Sequence, residues 1–352
     1  MNKTRVILLT ASFGKGHNII AKNLKEEINK NLNIDCEIVD YMKLYGKNIE
    51  LIATSIYNLT REFLPTLYDI RYKYLTDLKT RNLFDRMALR AIKKKLKGNI
   101  TNTIFISLFP NATVGLSNIK CKAKYTITTD YGEIHKEWFN KNIDGYFVAT
   151  LKIKNKLLEY GFSENKIYVT GIPIGKEFYN KKKRGHMKNI DPLKKTILMM
   201  GGGDGVFNSP IKILKRLSVH YNIIFIAGSN KVLKDKVEKL KINNVITIGY
   251  TNRIKNYIDQ SDVVISKAGG ISLTEFAVSK IPIVLYKKTT GQEKGNINYF
   301  IENNACVLVD DLEDLDRTIY DIFNNKIKLN TNLIDTKTPA IDKIIDIIRK
   351  QL

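Results

Sequence analysis

Short apolar runs alternate with amphipathic stretches along most of this chain. The first run, Val6–Thr10, is aliphatic and is followed by a glycine-containing loop, a pattern typical of a buried strand. The next stretch, Ile19–Asn29, places Ile20, Leu24 and Ile28 on one face and predicts a helix. The chain therefore opens with a strand–loop–helix unit.

The same patterning predicts ten further strands, most of them separated by helical stretches. They are Cys36–Asp40, Thr103–Leu108, Lys124–Thr129, Gly145–Ala149, Ile167–Val169, Thr196–Met200, Tyr221–Ala227, Asn244–Ile248, Asp262–Ser266 and Pro282–Tyr286. Alternating strands and helices favour parallel sheets with crossover helices. Because the pattern restarts at Thr196, we predict an α/β protein with two Rossmann-like domains.

The domain boundary is predicted from the stretch Lys176–Leu193, which has no periodicity and contains a run of four basic residues from Lys181. We predict an N-terminal domain over 1–180, a linker over 181–193 and a C-terminal domain over 194–335. The basic run can alternatively contact phosphates. Isoleucines at helical spacing predict an amphipathic helix within 336–352, which we expect to pack on the N-terminal domain.

Charge narrows the range of partners. The 352 residues carry a formal net charge of +23, of which +17 falls within residues 1–190. Such a field attracts nucleic acid, anionic lipid head groups or phosphorylated substrates. A genome biased toward lysine codons explains part of the total, but it does not explain the asymmetry.

Several classes of protein are disfavoured. The three cysteines, Cys36, Cys121 and Cys306, are too few and too scattered for a disulfide framework or a zinc ribbon. The apolar start is too short for a signal peptide, and no run reaches the roughly 20 residues that span a bilayer. We therefore expect a cytosolic protein without a metal or another cofactor.

Residues 42–100 interrupt the strand–helix alternation. They combine many tyrosines with arginines and lysines, and Leu83–Leu96 has apolar residues at helical spacing beside a basic face. Aromatic and basic residues together suit an anionic membrane surface. An ordinary helical insert with its rings in the core explains the pattern equally well.

Three glycine-containing loops follow predicted strands, where open α/β sheets bind ligands. The first, Ser12–His17, is neither a Walker A loop nor a dinucleotide fingerprint, and it places His17 at a helix start. His17 can act as a base toward a hydroxyl, or can simply cap or pack. The loops Gly201–Gly205 and Ser266–Gly270 can hold phosphate groups, and Glu275 can accept from ribose hydroxyls.

These motifs resemble those of the monogalactosyldiacylglycerol synthases and bacterial processive diacylglycerol glucosyltransferases of glycosyltransferase family 28. The resemblance extends nearly from end to end of the chain. Its parts, in order, are Ser12–His17, Thr129–Tyr131 with His135 and Trp138, Gly171–Pro173, Gly201–Gly205, Gly228–Asn230, Ser266–Glu275 and Gly291–Asn296. The departure is Lys15, where many relatives have a small residue.

The resemblance implies a GT-B fold, with two Rossmann-like domains whose parallel sheets face each other across a cleft. It implies an inverting transfer of glucose or galactose from a UDP-sugar to diacylglycerol at the inner face of the cell membrane, without a bound metal. His17 is the first choice of catalytic base and Asp130 the second. The acceptor-site residues that it implies are Gly14, Gly16, His135 and Trp138. The donor-site residues are Gly201, Gly202, Gly203, Gly228, Asn230, Lys267, Gly269, Gly270, Glu275, Gln292, Glu293 and Asn296.

Other readings remain open at this point. The same fold can act on a peptidoglycan lipid precursor or another lipid alcohol, and UDP-sugar 2-epimerases share the two-domain architecture. A nucleic-acid-binding protein would explain the charge but not the glycine loops, so we expect no nucleic-acid partner. Neither the sugar nor the oligomeric state follows from the sequence.

Overall fold

The computed structural model describes residues 4–11, 15–41, 43, 92, 100–116, 119–132, 138–180, 190–287 and 292–352. These residues form two compact units. The first contains the described residues up to Gly175, together with Gln292–Gly295 and Thr338–Leu352, and the second contains the others from Lys176 to Lys337.

The first unit is built on a parallel sheet of six strands. In chain order, its strands and helices are β1 (Arg5–Thr10), α1 (Lys15–Leu32), β2 (Asp35–Asp40), β3 (Thr103–Ser107), α2 (Pro110–Gly115), β4 (Ala123–Ile127), β5 (Gly145–Val148), α3 (Leu151–Glu159), β6 (Ile167–Val169) and α10 (Ala340–Arg349). The strand order is β2-β1-β3-β4-β5-β6. The order reverses between β1 and β3, which is where an open α/β sheet offers a binding crevice at its carboxyl edge.

The apolar strands explain why this sheet forms. All five residues of β3 and all four of β5 are buried, as expected for central strands covered on both faces. The C-terminal helix α10 packs against α1 and buries Ile341, Ile344 and Ile348. Its burial within the first unit accounts for the isoleucine spacing in the sequence.

The second unit repeats the architecture. Its elements are β7 (Thr196–Met200), α4 (Pro210–Leu217), β8 (Asn222–Ile226), α5 (Lys231–Lys239), β9 (Val245–Ile248), α6 (Ile254–Asp259), β10 (Val263–Ser266), α7 (Gly270–Val278), β11 (Ile283–Tyr286), α8 (Gln292–Glu302, whose first turn groups with the first unit), β12 (Cys306–Val309) and α9 (Leu312–Phe323). The parallel order β12-β11-β10-β7-β8-β9 places the reversal between β7 and β10. The loops after these two strands are the predicted phosphate loops.

The eleven predicted strands are confirmed, with ends that agree to within about two residues. A twelfth strand, β12, was not predicted. The second unit begins at Lys176, within the stretch predicted as the boundary. The linker residues 181–189 and nearly all of the 42–100 insert, including most of Leu83–Leu96, lie outside the described residues.

Candidate functional site

The first candidate group lies at the carboxyl edge of the first sheet. The helix α1 begins at Lys15, so Gly16 and His17 lie in its first turn. The buried Thr10 hydroxyl at the end of β1 donates to the Asn18 Oδ1 atom at 2.9 Å and ties the helix start to the strand end. His17 is thereby held beside the point where β1 and β3 end.

The environment of His17 makes its imidazole an acceptor. Its ring meets the Phe109 ring edge-on at 5.6 Å between centroids. Burial lowers the pKa of His17 to about 4, against the opposing effect of a hydrogen bond with the Leu108 backbone. The buried Nδ1 atom has no hydrogen-bond partner among the described residues. A bond to a carbonyl uses a protonated ring nitrogen, so the other nitrogen of the neutral imidazole carries the lone pair.

The second candidate base, Asp130, follows β4 at the same edge of the sheet. Its side chain is only 9% exposed. The turn is fixed by its neighbour, since the Thr150 hydroxyl donates to the Tyr131 carbonyl at 3.0 Å. The structure therefore places both candidate bases at the carboxyl edge of the first sheet, after strands β1 and β4, which are separated by β3.

Of the four predicted acceptor residues, Gly16 and Trp138 lie among the described residues. Trp138 is 1% exposed and belongs to the hydrophobic core of the first unit, and its assignment to the acceptor site stays a prediction. The Tyr146 hydroxyl donates to the Trp138 carbonyl at 3.0 Å, which fixes this core segment. Gly16 lies in α1 as described, whereas Gly14 and His135 lie outside the described residues.

In the second unit, the loop after β7 folds tightly against the loop after β8. Gly205 has a φ of +69°, and a Cβ atom there would lie 1.7 Å from the Ala227 carbonyl oxygen. Gly228 has a φ of +57° and is equally confined, with the Gly203 oxygen 2.6 Å from a Cβ position. Only glycine fits these backbone positions. The Ser229 amide then donates to the Gly203 carbonyl at 3.0 Å and closes the pair of loops.

The loop after β10 brings a cation and a helix start to the same place. A Cβ atom at Gly202 would lie 3.0 Å from the Lys267 Cε atom, so the lysine side chain runs alongside the β7 loop. Gly269 faces open space, and α7 begins at Gly270 with no side-chain cap. Amide groups at an uncapped helix start, with a lysine beside them, form a site suited to a diphosphate.

Glu275 lies in the second turn of α7 and is 6% exposed. Burial, with a smaller contribution from the charge of Glu177, raises the pKa of its carboxyl to about 8. Glu177 belongs to a 3₁₀ turn, Lys176–Tyr179, that contacts α7. No motif in the sequence pointed to Glu177, because its relation to Glu275 arises only from the fold.

Two other predicted donor residues, Asn230 and Asn296, have structural contacts of their own. The Asn230 Oδ1 atom accepts from the Leu233 amide at 2.9 Å and caps α5. Asn296 is fully buried and donates to the Ala268 carbonyl at 3.0 Å, so it supports the β10 loop from behind. Gln292 and Glu293 lie in the first turn of α8, where Glu293 is half-buried.

Comparisons with known proteins find matches to both halves of the chain. Residues 17–174 match the model of monogalactosyldiacylglycerol (MGDG) synthase, and residues 196–347 match the glycosyltransferase family 28 C-terminal domain. The chain is also 28% identical to a processive diacylglycerol beta-glucosyltransferase from Bacillus licheniformis, over 92% of this chain and 88% of that protein.

The chain belongs to glycosyltransferase family 28. Two solved structures show the fold of this family 28 protein. One is a UDP-GlcNAc 2-epimerase from Methanocaldococcus jannaschii, with a TM-score of 0.59, 18% identity and coverage of 99% of this chain and 100% of that one. The other is MurG of Acinetobacter baumannii, with a TM-score of 0.58, 14% identity and 99% coverage of each chain. The predicted GT-B class, with two Rossmann-like units, is confirmed.

Neither a metal cluster nor a membrane-spanning helix is found in the described parts of this family 28 chain. The residues with defined positions contain no group of three or more His, Cys, Asp or Glu side chains placed to hold a metal ion. Among the same residues, no helix is both long and apolar enough to cross a bilayer.

Proposed function

We propose that this protein transfers glucose from UDP-glucose to diacylglycerol, with inversion at the anomeric carbon, and yields glucosyldiacylglycerol. The observation that carries the proposal is the match of both halves of the chain to one enzyme family, joined to a relative named for this reaction. The β7 and β10 loops of the second unit supply a diphosphate site of the kind that such a donor needs.

His17 is the proposed base. In an inverting displacement, the acceptor hydroxyl oxygen forms the new bond to the anomeric carbon while the bond to the UDP oxygen breaks. The hydroxyl proton passes to the nitrogen of the neutral His17 imidazole that holds the lone pair. Asp130 is the alternative base.

The leaving diphosphate is proposed to be stabilised without a metal. Its two negative charges are met by the amides at the start of α7, by the glycine loop after β7 and by Lys267. Glu275 is proposed to accept from the ribose hydroxyls of the donor. Because a buried, protonated carboxyl must release its proton to accept two such bonds, donor binding and ionisation of Glu275 are coupled.

The acceptor implies a place of action at the inner face of the cell membrane. The net charge of +17 over residues 1–190 supports contact of the first half of the chain with an anionic lipid surface. Peripheral attachment of this kind needs no membrane-spanning helix.

An acceptor panel tests the proposal. Purified protein is incubated with UDP-glucose and a chelator in liposomes that contain diacylglycerol, a polyprenyl diphosphate-linked precursor or neither lipid. We expect a glycolipid only with diacylglycerol. A product only on the polyprenyl lipid would identify that lipid as the acceptor. An altered nucleotide sugar in liposomes that lack both acceptor lipids would indicate an epimerase. Activity that the chelator removes would contradict the metal-free mechanism.

A further inference from the structure

A lysine pocket lies at the amino edge of the first sheet. It has a volume of about 550 Å³ and is lined by Ile119, Lys120, Lys124, Lys141, Asn142, Asp144 and Lys166. These residues flank the starts of β4, β5 and β6, whereas His17 and Asp130 follow the carboxyl ends of β1 and β4. A strand of five residues separates the two edges by about 15 Å, so the lysine pocket is distinct from the proposed catalytic site.

Four lysines and one carboxylate line the lysine pocket. That carboxylate, Asp144, accepts from the Lys124 backbone amide at 2.8 Å and is occupied by the main chain. The nearby Glu164 pairs with Lys154 at 2.7 Å. Within the described parts of the chain, none of the four lysines of the pocket forms a salt bridge.

The charge in the lysine pocket therefore has no explanation in the fold itself. Like charges that share one pocket repel each other, and a protein that needed only a soluble surface would spread them. Lysine ammonium groups bind phosphates as point charges, and the Asn142 side chain adds a polar donor. The pocket is large enough for a phosphorylated head group as well as for a single phosphate.

We propose that the lysine pocket is a second anion site, which binds a phosphate group away from the reaction centre. The phosphate belongs either to a small soluble molecule or to an anionic lipid head group. The ammonium groups of Lys124 and Lys166, both half-buried at strand starts, provide the fixed contacts, and the exposed Lys120 and Lys141 add charge at the rim.

The test uses the full chain with saturating UDP, so that the donor loops are occupied. Inorganic phosphate is titrated by calorimetry in one arm, and flotation with phosphatidylcholine vesicles, with and without phosphatidate, forms the other arm. The pocket variant is K124Q/K166Q. Its matched control is K236Q/K239Q, which removes the same charge from exposed positions of α5 in the second unit.

We expect saturable binding in at least one arm, and the pocket variant should weaken it by at least about tenfold, since each lost bond to a charged group exceeds 1.4 kcal/mol. The control should change it by less than about twofold. A loss confined to the phosphate arm identifies a soluble ligand, and a loss confined to the vesicle arm identifies a lipid head group.

Equal weakening by both variants would overturn the proposal, because binding would then follow net charge alone. Absence of saturable binding in both arms would also overturn it. Melting curves check that the variants are folded. Should K124Q/K166Q fail to fold, K120Q/K141Q repeats the test at exposed positions. UDP affinity of all variants should equal that of the wild type, which separates this test from that of the proposed function.

Discussion

At the scale of single residues, burial shifts the pKa values of His17 and Glu275 in opposite directions. It lowers the pKa of His17 to about 4 and raises that of Glu275 to about 8. In both cases the charged form is disfavoured by the loss of water. Near neutral pH, the free protein therefore holds a neutral imidazole with an accepting nitrogen and a protonated carboxyl that a ligand can ionise.

His17→Ala should reduce glucose transfer by about 10²–10⁴-fold, the usual contribution of a positioned base. UDP affinity should remain within about twofold of the wild type, because His17 belongs to the first unit and the diphosphate loops to the second. Transfer rates and calorimetric UDP titrations measure the two effects. Loss of UDP binding, or retention of full activity, would contradict the role given to His17.

Glu275→Gln tests the buried carboxyl through stability. Between pH 4.5 and 8 the folded wild type keeps a proton that the unfolded chain has released, so its free energy of unfolding falls as pH rises. Glutamine does not titrate, so the free energy of unfolding of the variant should rise relative to that of the wild type by up to about 1.4 kcal/mol per pH unit in that window. Chemical denaturation at pH 5, 6.5 and 8 measures the difference.

A matched control for this experiment is Glu159→Gln, which changes an exposed carboxyl in α3. Its stability relative to the wild type should show little dependence on pH. If Glu275→Gln and the wild type respond identically to pH, then the carboxyl is not buried in the way described. Glu275→Ala should also weaken UDP binding, because the ribose would lose its acceptor.

Sequence reasoning could name the residue types of the site but not the direction of each side chain. Trp138 was predicted to contact the acceptor, yet it lies in the core. Asn296 was predicted to contact the donor, yet it holds the Ala268 carbonyl 28 positions away. Burial of this kind depends on packing between distant segments, which neither spacing nor motif order encodes.

At the scale of elements, the loops after β7, β8 and β10 support one another. The β7 loop depends on Gly205 and Gly228 for its close approach to the β8 loop. The β10 loop is held from α8 by Asn296. The amides and Lys267 are thereby positioned before any ligand binds, which reduces the ordering that donor binding requires.

Gly205→Ala should destabilise the second unit by several kcal/mol and abolish UDP binding, since its Cβ atom would meet the Ala227 oxygen. The control variant is Gly161→Ala. Gly161 has a φ of +78°, and a Cβ atom added there would meet open space. That change should cost only about 1 kcal/mol for the backbone conformation. Comparable losses of stability in the two variants would show that steric confinement of the β7 loop is not important.

The elements themselves were largely predictable, since strands such as Ile167–Val169 and Thr196–Met200 are bounded by polar or glycine residues. The strand β12 was missed because its four residues, Cys306–Val309, follow an Asn-Asn-Ala turn without a longer apolar run. It forms because its backbone pairs with β11, a non-local contact that the local pattern does not reveal.

At the scale of the whole molecule, the chain forms two Rossmann-like units that carry different candidate groups. The first presents a neutral histidine at the reversal of its sheet, and the second presents glycine loops, a lysine and a helix start at the reversal of its own. The proposed base and the proposed diphosphate site therefore belong to different units. The excess positive charge in the first half of the chain suits an acceptor that lies in an anionic membrane.

The most direct measurement of the central claim is transfer of labelled sugar to diacylglycerol in anionic liposomes, with UDP-glucose and UDP-galactose supplied in parallel and a chelator present. The account predicts a labelled glycolipid from UDP-glucose, with the β configuration expected of an inverting enzyme, and His17→Ala as an inactive blank. Thin-layer bands would also count the sugars added. No lipid product from either donor, by protein that still binds UDP, would contradict the claim that diacylglycerol is the acceptor.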